Sequence, residues 1–263
     1  MEHTTFILKY LRKRELTRAQ RFFHPLIKKF NDLDLNIRIY YKNDELNRKL
    51  SIRKPQYENL LIGDCTSIEK MMNIYFLLQQ TLRLNIEGDV VELGCYRGTS
   101  AAVIREMLNQ FSSNKRFHVY DSFQGLPDES SFDGPSRLLK KGQLKTSKDN
   151  LIGLFRSRGL ELPEIHEGWF NETLPTQLPE KIAFAHLDGD FYDSIMDSLV
   201  NVYPRLSPGA VAVIDDFCDP SVLDIHNILP GVKKACDDFF ADKPEKVQVL
   251  LCGGQSQAYF IKK

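Results

Sequence analysis

Two short acidic stretches, HLDGDFYD and VIDDF, hold the residues best placed to do chemistry: Asp188, Asp190 and Asp193 in the first, Asp215 and Asp216 in the second. Each ends an apolar run of the kind that forms a buried strand. If the two strands are neighbours, their backbones lie about 4.8 Å apart, and Asp188 converges with the Asp215–Asp216 pair. Three uncompensated carboxylates that close repel one another. A divalent cation removes the conflict, and an all-oxygen ligand set completed by water suits Mg²⁺ or Mn²⁺ rather than Zn²⁺. A local reading competes with this one. Asp190 caps a helix beginning at Phe191, Asp193 belongs to its first turn, and Asp215–Asp216 is a loop turn.

A second constellation lies upstream, in ELGCYRGTS. Gly94 and Gly98 frame a tight turn into a helix, where glycine permits positive φ and close approach of a ligand. The spacing is not the G-x-G-x-x-G of a dinucleotide site. Asp121 follows Gly98 by 23 residues, the range in which a carboxylate accepts hydrogen bonds from ribose hydroxyls; the alternative is a plain turn residue. Glu92, two residues before Gly94, would repel a pyrophosphate. It suits a cofactor carrying a sulfonium and an ammonium group, and S-adenosylmethionine is such a cofactor.

The elements that must position these groups alternate along the chain. DVVELG, RFHVYDSF, PEIHEGWF, KIAFAHLD and AVAVIDDF read as strands, and KVQVLL and QAYFIKK as closing strands. Helical spacing is carried by SIEKMMNIYFLLQQTLRL (Ile68, Met71, Met72, Tyr75, Leu78, Leu82), TSAAVIREMLNQF, SKDNLIGLFRSRG, FYDSIMDSLVNVYPRL and GVKKACDDFFADK. Strands separated by helices imply an α/β fold: a mostly parallel, seven-stranded, Rossmann-like sheet with helices on both faces. The short CGGQS link makes the last two strands an antiparallel edge hairpin. Ligands in such sheets bind beyond the carboxyl ends of the strands, where the glycine turn, Asp121 and the acidic pairs all fall.

Composition narrows the classes. Lys+Arg and Asp+Glu are 35 each in 263 residues, a balance that points to no nucleic-acid partner. Residues 1–30 nonetheless carry eight basic residues against Glu2 and Glu15. That segment is expected to be a helical extension packed on the domain or on a second subunit of a homo-oligomer; a membrane surface is the alternative. The five cysteines show no paired spacing, and no apolar run reaches the ~18 residues of a membrane span. A cytoplasmic protein is expected. The division anticipated is a basic, mainly helical extension over 1–60 and a cofactor-binding domain over 61–263.

The ordered set DVVELGCYRGTSA, YDSFQGLPD, EGWFNETLP, HLDGDFYDS, YPRLSPGAVAVIDDF and PGVKKACDDFF resembles the macrocin O-methyltransferase (TylF-type) family of class I S-adenosylmethionine-dependent enzymes, over roughly residues 61–263. The resemblance implies methyl transfer to a hydroxyl of a sugar or glycosylated natural product. It implies Asp188, Asp215 and Asp216 as magnesium ligands and Asp190 as general base. Glu92, Gly94, Gly98, Asp121 and Ser122 would line the cofactor, with Trp169 near the adenine, unless it packs in the core, and Thr66 near the methionine end. Cys95–Tyr96 and Thr99 stand where the family commonly has Val-Trp and a second glycine, departures that cofactor binding should tolerate. The segment 128–145, with Arg137, Lys140, Lys141 and Lys145, is a lid over the site; its cations either meet an anionic acceptor or are solvated. Rival readings are a catechol- or acyl-CoA-ester-type O-methyltransferase, a nicotinamide oxidoreductase, which Glu92 and the missing third glycine disfavour, and a non-catalytic module.

Overall fold

The computed structural model of the chain describes residues 68–134, 139–221, 229–252 and 255–263. Thr66, Arg137 and the basic extension lie outside the described residues. Helix α1 spans Ile68–Arg83, β1 Asp89–Leu93, α2 Thr99–Gln110 and β2 Phe117–Asp121. Then come α3 Lys148–Ser157, β3 Glu164–Glu167, α4 Phe170–Gln177 and β4 Ile182–Leu187. The chain continues through α5 Tyr192–Val202, β5 Leu206–Ile214 and α6 Pro230–Phe240, and closes with β6 Gln248–Cys252 and β7 Gln255–Ile261.

The seven strands form one sheet in the order β3-β2-β1-β4-β5-β7-β6. The first five pair in parallel, β7 runs antiparallel to β5, and β6 pairs antiparallel with β7. The expected mostly parallel sheet with an antiparallel edge hairpin is therefore what the chain builds. From β1 the chain winds outward to β2 and β3, then returns to lay β4 on the other flank of β1. The strand order thus reverses between β1 and β4, and a crevice opens where their carboxyl ends part.

Two-residue alternation sends successive side chains to opposite faces. Val90, Phe117, Val119, Phe184, Val211 and Val213 pack with Met71, Ile74, Leu78, Ala101, Leu151 and Phe155 from α1, α2 and α3. Val91, Leu93, Tyr120, Ala185, Leu187 and Ile214 pack with Leu174, Ile195, Leu199, Val232 and Ala235 from α4, α5 and α6. Burial of both faces explains why β4 reads as an unbroken apolar run apart from His186. The helix α1 is rotated from its expected face: Met71, Ile74 and Leu78 are buried while Met72 is exposed, and Lys70 and Thr81 lie on the buried side. The sequence reading had no helix at 170–177, where Pro175 and a length of eight residues conceal one. Helix α3 closes at Gly159, which takes a positive φ of 63°. The N–H groups of Gly159 and Leu160 bond back to Arg156 and Phe155. No helix among the described residues is long and apolar enough to cross a membrane.

Candidate functional site

The parallel register brings the end residues of four strands level. Leu93 pairs with Tyr120 on one side and Leu187 on the other, and Leu187 pairs with Ile214. Gly94, Asp121, Asp188 and Asp215 consequently form one row along the carboxyl edge. Backbone bonds continue the ladder: Asp188 N–H donates to Leu93 O at 2.8 Å, and Asp215 N–H to Leu187 O at 2.8 Å. Gly94 has no tolerable substitute, since at φ 85° a β-carbon would stand 1.9 Å from the Asp188 carbonyl oxygen. A cleft of about 410 Å³ opens over this row; Tyr96, Asp121, Trp169, Asp188, Asp190 and Asp216 are among its walls.

The loops that leave β1, β2, β4 and β5 each hold a non-glycine residue in the left-handed region: Tyr96 (φ 46°), Phe123 (54°), Asp190 (60°) and Asp216 (53°). Such conformations are costly for residues with a β-carbon and cluster where surrounding structure fixes a functional site. Asp121 supplies part of that fixing. Its Oδ2 accepts the backbone N–H groups of Cys95 (2.9 Å) and Tyr96 (3.0 Å), and its Oδ1 accepts that of Phe123 (2.7 Å). The acid expected to meet the ribose thus also ties the glycine turn to the end of β2. Ser122 lines the cleft as well, with its hydroxyl accepting from Gln124 N–H at 3.1 Å. Trp169 is half-buried in the cleft wall at the start of α4 and belongs to neither core cluster.

At β4 and β5 the carboxylates fall into two groups that share Asp188, joined by His186 and Lys70. Ligand atoms of Asp188, Asp190 and Asp216 lie within 4.8 Å of one another, and a second such group is His186, Asp188 and Asp215. Withdrawal from solvent and the neighbouring Asp215 and Asp190 charges hold the Asp188 carboxyl well above the usual range. Burial together with Asp216 and Asp215 does the same for Asp190. These are groups short of positive charge. The shortage is met in part by Lys70, reaching across from α1: its Nζ lies 2.7 Å from Asp215 Oδ1 and 2.6 Å from Asp216 Oδ1. Burial opposes ionisation of Asp215, but Lys70 and His186 outweigh it and hold that carboxyl well below the usual range.

The helix-cap reading of Asp190 does not hold. Helix α5 has Phe191 at its cap position, with no side-chain cap bond. The free Tyr192 N–H donates instead to Asp133 Oδ1 at 2.8 Å. Asp190 is left facing the cleft, while Asp193 lies in the first turn of α5 as expected.

Glu92 and Gly98 do not line the cleft. Glu92 is fully buried inside the sheet, where its Oε1 accepts from His186 Nδ1 at 2.9 Å. Its other oxygen, Oε2, is buried without a hydrogen-bond partner. Burial would lower the His186 pKa; Asp215 and Glu92 overcome that and push it up to about 10. Gly98 caps α2 at φ 88°, and a β-carbon there would lie 2.2 Å from Leu151 Cδ1; its task is packing against α3. From the segment expected as a lid, Asp128 and Leu144 line the cleft, as do Gly125, Leu126 and Pro127 just before it. Lys140, Lys141 and Lys145 are exposed away from it, and Lys141 pairs with Asp128 at 2.6 Å.

Sequence reasoning missed Lys70 and His186. Each left a signal: a lysine on the apolar stripe of α1, four residues before Ile74, and a histidine inside an otherwise apolar strand.

The sequence matches the macrocin O-methyltransferase (TylF) family over residues 4–244, reaching into the N-terminal segment where no motif was recognised. It is 34% identical over 177 residues to the mycinamicin III 3''-O-methyltransferase of Micromonospora griseorubida, covering 64% of this chain and 68% of that one. It is 31% identical over 182 residues to the 8-demethyl-8-(2,3-dimethoxy-alpha-L-rhamnosyl)-tetracenomycin-C 4'-O-methyltransferase of Streptomyces olivaceus, covering 66% and 68%. The solved O-methyltransferase NovP superposes with a TM-score of 0.64 at 27% identity, over 75% of this chain and 81% of that one. With a cleft at the β1–β4 switch point of a class I methyltransferase sheet, the chain belongs to the macrocin O-methyltransferase (TylF) family and is an S-adenosylmethionine-dependent O-methyltransferase.

Proposed function

We propose that the acceptor is a hydroxyl group of a sugar carried on a small natural product, and that transfer is assisted by a divalent cation. The observation that carries the reading is that two groups sharing Asp188, one with Asp190 and Asp216 and the other with His186 and Asp215, each lie within 4.8 Å, in the same cleft as Asp121 and the glycine turn. One relative's name specifies a rhamnosyl-bearing acceptor, which supports a sugar over a planar phenol.

Methyl transfer is an in-line displacement. The acceptor oxygen attacks the sulfonium methyl carbon, the carbon–sulfur bond breaks with its electron pair passing to sulfur, and the hydroxyl proton needs an acceptor. Asp190 is the base: its carboxylate faces the cleft beside Asp188 and Asp216, with no helix amide to cap, and is placed to take the hydroxyl proton. Asp121 keeps lone pairs for the ribose hydroxyls beyond its three backbone bonds. Gly94 and Ser122 shape the cofactor wall, and Trp169 flanks the adenine.

The residues fit a hard divalent cation. The donors are all carboxylates, several of them short of positive charge, and the Lys70 ammonium already bridges Asp215 and Asp216 as a stand-in cation. Asp188, Asp215 and Asp216 would hold Mg²⁺ or Mn²⁺, which when bound lowers the pKa of a coordinated hydroxyl. The same Lys70 contacts support a second reading, in which lysine supplies the charge permanently and no metal is required. Turnover with sugar-bearing, catechol and acyl-CoA-ester acceptors, each with chelator and with added Mg²⁺, decides both points. The first reading expects sugar turnover that chelator abolishes and Mg²⁺ restores. Full activity of metal-free enzyme establishes the second.

A further inference from the structure

A second cluster of ligand-type side chains lies along β2 and β3, in a cavity that shares no lining residue with the methyl-transfer cleft. Ligand atoms of His118, Glu164 and His166 lie within 4.8 Å of one another. Two-residue alternation places them on one face. His118 points with Tyr120, and Asp89 with Val91 and Leu93, toward the α4–α6 side. His118 is level with Glu164, and Tyr120 with His166, across β2 and β3. A cavity of about 660 Å³ opens beside them, lined in part by Asp89, Arg116 and Gln177.

Hydrogen-bond bookkeeping exposes a fault in this cluster as it stands. His166 Nδ1 faces the Gln177 side-chain oxygen at 2.9 Å, so Nδ1 carries the proton and donates. With that proton on Nδ1, His166 presents a lone pair at Nε2, and His118 Nδ1, 3.2 Å away, donates to it. That leaves His118 Nε2 bare. This atom is buried without a hydrogen-bond partner in a residue only 3% exposed. The nearest charged oxygen facing it is Asp89 Oδ2 at 3.7 Å, an acceptor facing an acceptor. An unsatisfied buried polar atom of this kind is costly and calls for a cause.

We propose that His118, Glu164 and His166 form a non-catalytic site for a divalent cation of the Zn²⁺ type, bound by His118 Nδ1, His166 Nε2 and Glu164 Oε2. The spacing fits. Ligand atoms of a tetrahedral Zn²⁺ site stand about 3.3 Å apart, given metal–ligand bonds of about 2.0–2.1 Å; here His118 Nδ1 is 3.2 Å from His166 Nε2 and 3.4 Å from Glu164 Oε2. The other carboxylate oxygen, Oε1, turns to Arg116 at 3.8 Å, leaving Oε2 for the cation.

The cation also repairs the fault. With the metal on Nδ1, His118 takes the other tautomer and turns an Nε2–H rather than a lone pair toward Asp89 Oδ2, 3.7 Å away. His166 keeps its bond to Gln177, so both ligating rings gain the outer partner that metal-bound histidines require. The cavity supplies water for the fourth position. Gln177 ends α4, whose first residues Phe170, Asn171 and Glu172 line the catalytic cleft. The cation would therefore tie β2 to β3 and, through Gln177, to the end of the helix that frames the active site.

Co²⁺ titration of the full chain, read by visible absorption, tests this. One equivalent should give the bands of a tetrahedral nitrogen–oxygen site in wild type and in the Asp188→Asn/Asp216→Asn variant, which lacks two catalytic acids. Glu164→Gln, at an exposed side chain, should weaken that signal at least tenfold, and Asp89→Asn about 10–100-fold. Bands confined to protein with intact catalytic acids, or bands that survive Glu164→Gln unchanged, overturn the site. Nitrogen-15 NMR gives a check independent of the variants. His118 should carry its proton on Nδ1 in metal-free protein and on Nε2 after one equivalent of Zn²⁺. A proton already on Nε2 without metal means the Gln177 amide faces the other way, and removes the basis of the proposal.

Discussion

Glu92 and His186 are direct partners across β1 and β4, joined at 2.9 Å with both side chains essentially inaccessible to solvent. His186 Nε2 in turn lies 3.8 Å from Asp215 Oδ2, whose other oxygen holds Lys70. A buried line of alternating charge therefore runs from the strand beneath the cofactor turn to the acids of the catalytic cleft. Removing one member of a buried pair leaves an uncompensated charge, at a cost of about 3–5 kcal/mol.

Glu92→Ala is accordingly expected to act on stability, by about 3–5 kcal/mol, and on cofactor affinity only through the altered fold. Urea denaturation and calorimetry with S-adenosylhomocysteine separate the two. An unchanged unfolding midpoint together with lost affinity would show that Glu92 faces the cofactor after all.

Asp121→Asn is expected to weaken S-adenosylhomocysteine binding by at least tenfold. The variant loses the charge that strengthens three backbone hydrogen bonds, each worth about 1.5–3 kcal/mol when the acceptor is ionised, and it loses the acceptor for ribose. Thermal stability should fall in parallel, because the glycine turn is released from β2. Equal affinity in the two proteins would leave Asp121 as a turn residue alone.

Asp190→Asn should keep its fold and its cofactor affinity while turnover falls by roughly 10² to 10⁴, the usual contribution of a general base. Asp188→Asn should remove the response to Mg²⁺ as well as turnover. If Asp190→Asn turns over at the wild-type rate, the proton goes elsewhere.

Lys70→Met removes the cation that bridges Asp215 and Asp216. Metal-free variant should be less stable than wild type by about 3–5 kcal/mol, and added Mg²⁺ should raise its melting temperature more than it raises that of wild type. Equal Mg²⁺-induced shifts in the two proteins would mean that lysine and metal do not share the site.

Glu245 sets an acid limit on stability far from the cleft. It is 3% exposed and accepts from Tyr203 Oη (2.7 Å), Lys263 N–H (3.1 Å) and Lys262 Nζ (3.2 Å). Burial opposes its charge, but these donors prevail and bring its pKa down to about 2. An unfolded glutamate titrates near 4.3. Its stabilisation is complete well above about pH 4.3 and is lost as pH falls toward 2. Glu245→Gln should therefore be less stable than wild type at pH 7, with the gap closing by about pH 2. A gap independent of pH would assign the effect to packing.

The succession of strands and helices was legible along the chain, because burial on two faces imposes apolar runs on strands and a stripe on helices. So was the cleft, since loops at the carboxyl ends of parallel strands are where a ligand can reach: Gly94, Asp188 and Asp215 directly follow β1, β4 and β5, and Asp121 ends β2. Helix α4 escaped because Pro175 masks its pattern. Tertiary structure decided which charges meet. Strand order and register are non-local, so nothing near Glu92 in the chain shows that His186 stands opposite it 94 residues later. Lys70 reaches Asp216 over 146 residues, and that contact exists only because α1 crosses the sheet with its lysine inward. The role of each carboxylate depended on the direction it faces. Glu92 faces into the sheet toward a histidine, while Asp190 faces the cleft because Asp133, from another loop, bonds the α5 amide in its place.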